Sequence, residues 1–422
     1  MSTMLAESAT AHVGRFLDAL RPQVMGPELA SALCANGMAL GSRATVCHVL
    51  DAKYEPGVRA VVLYELGGRL VRGDLLPDPA TDEPGVVAPG LRVSAFPHDQ
   101  DLPSLPRLMD ATVVGPLLGG SSRPQLELLR YRPGKRATVR VRFDREHFLV
   151  AKAYHRPDKA AAVAEEAASL FDAAAGAATL RLAPVHSHLA DLGWVVQRPV
   201  DGRPLDALVG NPRVCPADAE VGIRLAARAL AELHTSSPTL RRERSVDKEL
   251  RRFGVRSAGI ATVDPALGQL GAELAQRLVD VQEHLPPAHV GPVHGDCKPS
   301  QFLLAPPRAV LLDLDHCGLS DQAADVGTFM ATLRQLAVRH HLAGRPEQLG
   351  RRLGTLAEDF LAAYLHAIGD DSDGRRQRVR WHEAVALERK ALRSFARAPR
   401  SPVPAALIHE ANRCLDRLTE TA

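Results

Sequence analysis

Aromatic residues make up only 4% of this 422-residue chain. That is too sparse for the stacking platforms that hold single-stranded nucleic acid, or for an aromatic cage around a quaternary amine. Charge of one sign is also scarce: 52 Lys and Arg against 49 Asp and Glu leave a net +3. Such a balance argues against bulk electrostatic capture of nucleic acid and leaves room for a local anion site. No uncharged apolar run approaches the roughly 18 residues of a membrane span. The opening MSTMLAESATAHVGRF has no basic start leading into an apolar core, so it does not read as a secretory signal. Cys34, Cys47, Cys215, Cys297, Cys317 and Cys414 are scattered without a Cys-x-x-Cys pair, which fits reduced thiols better than a disulfide framework. The expectation is a cytoplasmic protein of two or three domains, with neither a membrane nor a nucleic-acid partner.

What is present is organised in three parts. Residues 1 to about 47 read as helices, with apolar spacing through Val13, Phe16, Leu17 and Leu20 and a break at Pro22. Lys53 to Leu75 reads as two strands around a Pro56-Gly57 turn, then a Gly67-Gly68 hairpin. Residues 76–90, rich in Pro, Asp and Gly, read as a surface linker. The pattern then recurs: Tyr54-Glu-Pro-Gly-Val-Arg-Ala-Val-Val aligns without gaps on Tyr131-Arg-Pro-Gly-Lys-Arg-Ala-Thr-Val, followed by a hairpin and third strand of equal length. This suggests a duplicated sheet unit, the alternative being two unrelated turns that share Pro-Gly. Val139, Val141 and Phe143 alternate with Arg140 and Arg142, as in a half-buried antiparallel strand. In Phe148–Tyr154, Lys152 shares a face with Val150. An Ala-rich helix ends near Gly176, strand-like runs follow at Leu182–His188 and Trp194–Val200, and Asp201-Gly-Arg-Pro reads as a hinge. Beyond it, helical patterns such as Ala217–His234, Leu267–His284 and Arg380–Ala398 dominate.

Val293–Asp325 is the chemically dense stretch. It carries His294-Gly295-Asp296, an amide at Gln301 and a hydrophobic strand ending in Asp313. Phosphoryl transfer needs such a set: one carboxylate to orient a hydroxyl, and an amide and a second carboxylate to hold Mg²⁺ on a nucleotide. Alone, Asp296 would read as a turn Asp capping its own backbone, and Lys152 as a surface lysine snorkelling from a strand. A charge at the end of a buried strand, as at Asp313, is costly unless paired or metal-bound. Asp315 is a second metal or substrate ligand, or simply solvated. Gly134-Lys135 is not a Walker A loop, because Leu129 stands where its first Gly belongs and Arg136 replaces Ser or Thr. His294, Cys297, His316 and Cys317 lack the spacing of a zinc site. The arginines at 375, 376, 378, 380, 389, 393, 397 and 400 read as a solvated face, the alternative being contact with an anionic substrate or partner.

These residues resemble the aminoglycoside phosphotransferase family of the protein-kinase-like superfamily. The likeness runs from about Leu126 to Asp325 and rests on His294-Gly-Asp296-x-x-x-x-Gln301, Asp313 and Gly318-x-x-Asp321-x-x-x-Asp325. It implies an α+β, two-lobed kinase-like fold: residues 1–115 an N-terminal cap, 116–200 an antiparallel-sheet N-lobe, and 201–422 a helical C-lobe. By the same resemblance Asp296 is the catalytic base and Lys298 touches the transferred phosphate. Gln301 and Asp313 hold Mg²⁺, with Asp315 beside them. Lys152 grips the α- and β-phosphates of ATP, braced by Glu166 or its rival Glu165. Gly134, Lys135 and Arg136 cover the phosphates, Val150 and the backbone of Gln197, Arg198 and Pro199 enclose adenine, and Asp325 holds the catalytic loop. His294 is expected to be structural.

Three features depart from the family. Gln301 stands where most members have Asn; it and Asp315 are similar to the maltokinase branch, which also carries an N-terminal cap. The phosphate loop Arg132-Pro-Gly-Lys-Arg-Ala has one Gly, though it still offers Lys135 and Arg136 to phosphate. Leu75 occupies the first-copy position of Lys152, so only the second copy would be catalytic. With eleven residues between Asp313 and Asp325 and no Ala-Pro-Glu, there is no room for a peptide-docking activation segment. The expected acceptor is therefore a small-molecule hydroxyl, on a sugar or amino sugar first and an aminoglycoside or amino alcohol next. The rival reading is a nucleotide-binding pseudokinase with a regulatory role.

Overall fold

Residues 12–35, 37, 46–55, 59–76, 86–88, 90–120, 123–211 and 214–419 are described by a computed structural model of the chain. The first eleven residues, the Pro56-Gly57 turn and most of the expected 76–90 linker lie outside them.

Period-two alternation builds two five-stranded antiparallel sheets. The first runs β1 (Cys47–Glu55), β2 (Arg59–Leu66), β3 (Arg69–Leu75), β5 (Leu91–Ala95), β4 (Val86–Ala88). The second runs β10 (Val185–Leu189), β11 (Trp194–Gln197), β8 (Phe148–Tyr154), β7 (Arg136–Arg142), β6 (Gln125–Arg132). In β7, Ala137, Val139 and Val141 are buried and alternate with partly exposed Thr138, Arg140 and Arg142. Tyr54 faces Ala60 across the first hairpin and Tyr131 faces Ala137 across the equivalent one, so the two strand pairs share one register. The next hairpins differ. Ala60 faces Leu75, whereas Ala137 faces Ala153 and Lys152 faces Thr138. The second copy is thus one residue longer there, and Lys152 does not occupy the ladder position of Leu75.

A third sheet, β12 (Arg203–Pro204), β14 (Phe302–Ala305), β15 (Arg308–Leu311) and β9 (Leu180–Leu182), ties the two halves of the chain together. Its β15–β9 pairing is parallel, and Arg203 of the expected hinge faces Leu304. Strand β13 (Val290–Val293) pairs with β16 (Gly318–Asp321). These short ladders fix both ends of the loops at 294–301 and 312–317.

The C-terminal half is helical, with two cores. Phe302, Phe329, Phe360 and Tyr364 belong to one; Trp381, Phe253, Leu274 and Leu407 belong to the other. The arginine run is a solvated face only in part: Arg393, Arg397 and Arg400 are exposed, whereas others are paired. Arg375 pairs with Asp370, Arg378 with Asp321, Arg380 with Glu358 and Glu383, and Arg389 with Glu249. The periodicity of helix Asp373–Arg397 places these cations between helices, where packed carboxylates offset the cost of burying them. Among the described residues no helix is long and apolar enough to cross a membrane.

The first sheet packs Tyr54, Tyr64 and Val71 on Phe16, Leu29 and Leu33 of the preceding helices. It also touches both other parts of the molecule. Asp51 of β1 accepts from Arg397 at 2.7 Å. On the other side Arg72, 1% exposed, is enclosed by Asp74, Asp99 and Asp101. Asp99 in turn accepts from the Tyr131 hydroxyl at 2.7 Å and from the Gly134 N–H at 2.8 Å. Arg72→Ala would leave three carboxylates around an empty site. Removing one partner of a buried ion cluster costs about 3–5 kcal/mol. The expected outcome is an unfolding free energy lowered by that amount, read from the urea transition of the first sheet, with a correspondingly lower midpoint; an unchanged midpoint would contradict the clamp.

Candidate active site

The loop after β13 is held by one carboxylate. Asp325, in the first turn of helix Ala323–Leu342, accepts from the backbone N–H of His294 and, at 2.8 Å, of Gly295. His234 approaches the same carboxylate at 3.2 Å and is itself held by the Tyr364 hydroxyl at 2.7 Å. Burial works to raise the Asp325 pKa, but the His234 hydrogen bond, with His294, brings it below the ordinary value. His294 Nε2 meets the Leu312 carbonyl at 2.7 Å and its Nδ1 accepts from the Asp296 N–H at 3.2 Å. That network assigns the ring proton to Nε2 and makes His294 a structural post between the loops, as expected. Gly295 has φ 76°, and a Cβ there would stand 2.1 Å from the His316 carbonyl. No larger residue fits this crossing.

Asp296 is thereby presented with Lys298 on its carboxylate. Burial alone would raise its pKa. Lys298, then His294 and His316, overcome this and hold it at about 2. At neutral pH the group is a carboxylate.

The second acid lies just past β15. Asp313 has φ 62° and ψ 60°, the one left-handed residue other than glycine among those described. Such a conformation costs of order 1–3 kcal/mol and persists only where surrounding contacts dictate it. Here Arg136 holds Asp313 with two hydrogen bonds of 2.8 and 3.1 Å, and Lys152 adds one of 2.8 Å. Burial raises the Asp313 pKa, but Lys152 and Arg136 drive it far below the usual carboxylate range. Asp315, only 2% exposed, accepts from Lys152 at 3.0 Å and from the Tyr154 hydroxyl at 2.7 Å, with Arg136 also against it. Two cations of the second sheet thus face two carboxylates of the C-terminal half. The backbone behind them is braced by Arg242 on the Asp315 carbonyl and Arg244 on the His316 carbonyl, each at 2.8 Å.

Among the described residues no three His, Cys, Asp or Glu side chains converge as a self-sufficient metal site. Magnesium on a nucleotide does not need one: one or two carboxylates and the phosphates suffice. Asp313 and Asp315, both oxygen donors, suit it, and Gln301, buried on the short turn Pro299–Gln301, is close in chain to the same loops.

Several expected site residues are placed differently. Glu166 does not brace Lys152; its carboxylate lies on Arg242 at 3.1 Å and accepts from the Cys317 thiol at 3.7 Å. Glu165 points outward to Arg241 at 3.5 Å. The physical reason is competition: Asp313 and Asp315 already hold the ammonium, and Arg242 supplies the cation that buried Glu166 needs. The Gly134 N–H is spent on Asp99, and a Cβ at Gly134 would stand 2.7 Å from Asp101, so the loop's glycine serves the first sheet. Lys135 lies beside Lys53 of β1, and desolvation with that neighbour pushes its pKa down to about 8. Val150 faces both Arg140 and Gln197 in the sheet. The Arg198 N–H donates to Pro184 at 3.0 Å and is not free for a base; buried Gln197 and half-buried Pro199 flank it. Sequence reasoning missed Tyr154, Arg242, Arg244 and His234. Tyr154 was within reach, since it lies two residues from Lys152 on the same strand face. The others carry no local signal.

The sequence profile of the phosphotransferase enzyme family matches residues 127–377. None of the curated proteins matches the chain. Among solved structures, a glucosamine kinase is similar at 17% identity and TM-score 0.51, covering 89% of this chain and 95% of its own. A choline/ethanolamine kinase family protein from Mesorhizobium loti covers 72% of this chain and 91% of its own, at 17% identity and TM-score 0.46. A choline kinase from Cryptosporidium parvum covers 72% and 92%, at 9% identity and TM-score 0.47. At 17% identity the likeness to the glucosamine kinase is one of fold, the two-lobed kinase-like fold. With more than half its length matched by the profile, the chain belongs to the phosphotransferase enzyme family.

Proposed function

We propose that the protein transfers the γ-phosphate of ATP to a hydroxyl group of a small molecule. The observation that carries this reading is the convergence of Lys152 and Arg136 on Asp313 and Asp315, beside a clamped Asp296. The partners are 161 to 179 residues apart in the chain, and structural burial alone gives no reason to gather them. In this reading Asp313 and Asp315, with the Gln301 amide, hold Mg²⁺, which neutralises charge on the phosphates. Lys152 and Arg136 turn from the carboxylates to those phosphates. Asp296 orients the acceptor hydroxyl and receives its proton. A carboxylate held near 2 is a weak base, which suits a loose transition state in which the proton leaves late and positioning dominates. Lys298 screens the charge between Asp296 and the transferred group. The division into a cap (1–115), sheet lobe (116–200) and helical lobe (201–422), and the origin of the cap by duplication, are part of the same proposal.

A sugar or amino sugar is the acceptor class the sequence resemblance favours, with aminoglycosides and amino alcohols after it. The pseudokinase alternative draws on one observation, the commitment of the Gly134 amide to Asp99 rather than to phosphate. ADP release over a panel of hydroxyl acceptors, beside thermal melting with Mg·ATP, separates the two: binding with turnover supports the kinase, binding alone the sensor.

Asp296→Asn keeps shape and removes the proton acceptor. Turnover is expected to fall by about 10²–10⁴-fold while the Mg·ATP melting shift persists; surviving activity would show that another group is the base. Asp325→Asn loosens the loop while leaving Asp296 itself unaltered. The expected result is roughly 100-fold lower kcat, the scale of a small misplacement, with nucleotide affinity unchanged by isothermal titration. The pH profile gives an independent check. Asp296 is ionised above about 2, and burial keeps the His316 imidazole neutral above about 3. Neither changes charge between pH 5.5 and 7, so kcat at saturating substrate should be flat there; an acid limb inside that window would contradict the assignment.

A further inference from the structure

Between β1, the loop Arg132–Arg136 and the helices Asp247–Ala261 and Asp373–Arg397 lies a cleft of about 400 Å³. Asp315 and His316 are among its lining residues. The His316 carbonyl abuts Gly295, next to Asp296, so the cleft shares His316 with the loop that carries Asp296. Among the described residues nine cationic side chains line it against three carboxylates. All three carboxylates are already neutralised: Asp51 by Arg397 at 2.7 Å, Glu55 by Lys53 at 2.5 Å, and Asp315 by Lys152 and Arg136. Arg132, Lys159, Arg252 and Arg393 have no ion-pair partner among the described residues, though they come from four separate elements. Like charges gathered in one concavity repel, so the arrangement leaves a site of positive potential awaiting an anion. Arg393 shows the crowding: desolvation and Arg389 push its pKa down to about 10, while Asp296 pulls it upward. Arg132 likewise lies in the field of Asp296.

The triphosphate does not account for all of this. Arg136 and Lys152, on the sheet, already face the metal carboxylates. Arg252 and Arg393 stand on helices that contribute nothing to that cluster. We infer that the acceptor is an anionic hydroxy compound, its phosphate, sulfate or carboxylate group seated on Arg252 and Arg393 and its hydroxyl at Asp296. This rests on the kinase reading and narrows it. The acceptor oxygen bonds to the γ-phosphorus, the bond from that phosphorus to the ADP oxygen breaks, and the hydroxyl proton passes to Asp296 and on to solvent. Polycationic aminoglycosides, choline-like alcohols and protonated amino sugars are disfavoured by the same field.

The test titrates inorganic sulfate into protein saturated with magnesium and a non-hydrolysable ATP analogue, so that the nucleotide's phosphate contacts are already filled. The wild type should bind sulfate, and the Arg252→Ala/Arg393→Ala variant should bind it at least tenfold more weakly while binding the analogue as before, which also shows that it is folded. Absence of sulfate binding in the loaded wild type, or undiminished binding in the variant, overturns the inference. Among glucose, gluconate, glucose 6-phosphate and glucosamine, a higher kcat/KM for glucosamine than for the two anions also overturns it. If the wild type fails to bind the analogue, the kinase reading falls instead, and the sulfate titration repeated on the free protein decides whether the anion site stands without it.

Discussion

Lys152 and Arg136 against Asp313 and Asp315 is the contact on which the arrangement of this molecule depends. It joins a sheet built before residue 198 to loops built after residue 290, and it is almost dry. Removing four charges from water is expensive, and mutual attraction offsets that only where geometry is good and remaining hydrogen-bonding capacity is used. Both conditions are met: Arg136 binds Asp313 through two N–H groups, and Tyr154 takes up a further position on Asp315. The quartet is also an exchange waiting to happen. A nucleotide carrying magnesium brings anions for the two cations and a cation for the two anions. On the proposed reading, binding would swap partners at nearly constant charge balance, and no member would be left buried and alone.

The catalytic loop relies on a different economy, that of backbone hydrogen bonds fixed by a single buried acid. Asp325 gathers two successive N–H groups, and His294 bridges to the Leu312 carbonyl, so the loops carrying Asp296 and Asp313 are fastened to each other. Gly295 allows this because the crossing chain leaves no space for a side chain. The left-handed backbone at Asp313 follows from the same geometry: the chain must turn sharply out of β15 to aim the carboxylate back at the sheet. Donors and acids held this way need no rearrangement when charge develops, which is where most catalytic advantage in phosphoryl transfer is found.

Much of this was legible in sequence, and the boundary has a physical cause. Alternation in β7 and the apolar run before Asp313 are local patterns, so the strands and their polar ends could be read directly. The spacing of Asp296, Gln301, Asp313 and Asp325 is likewise local to one stretch. Partner choice was not. Glu166 was expected on Lys152, yet Arg242, 76 positions further on, takes it, and nothing in either neighbourhood announces that. The amide of Gly134 looked free for phosphate until Asp99, in the loop that follows β5 of the first sheet, claimed it. The arginines of helix Asp373–Arg397 read as solvated because carboxylates such as Glu249, Asp321 and Glu358 lie on other helices. Contacts between remote elements depend on packing, and packing is what a linear pattern leaves open. The parallel β15–β9 pairing was missed for the same reason.

The first sheet then has a role beyond covering the N-lobe. It is fastened on one side through Arg72 and Asp99 to the loop Tyr131–Gly134, and on the other through Asp51 to Arg397 of the C-terminal half. A body attached to both lobes limits how far they can part, and its strand β1 forms one wall of the cleft beside Asp296. The paired charges on that wall, Lys53 with Glu55 and Asp51 with Arg397, give it shape while contributing little net field. The field comes from the unpaired arginines opposite. Shape and charge of this cleft are therefore set by different elements, neither of which supplies Asp313 or Asp315. If the cleft receives the acceptor, as proposed above, such a division would let the acceptor change while the quartet and the Asp325 clamp stay as they are, so that one fold can serve unlike substrates.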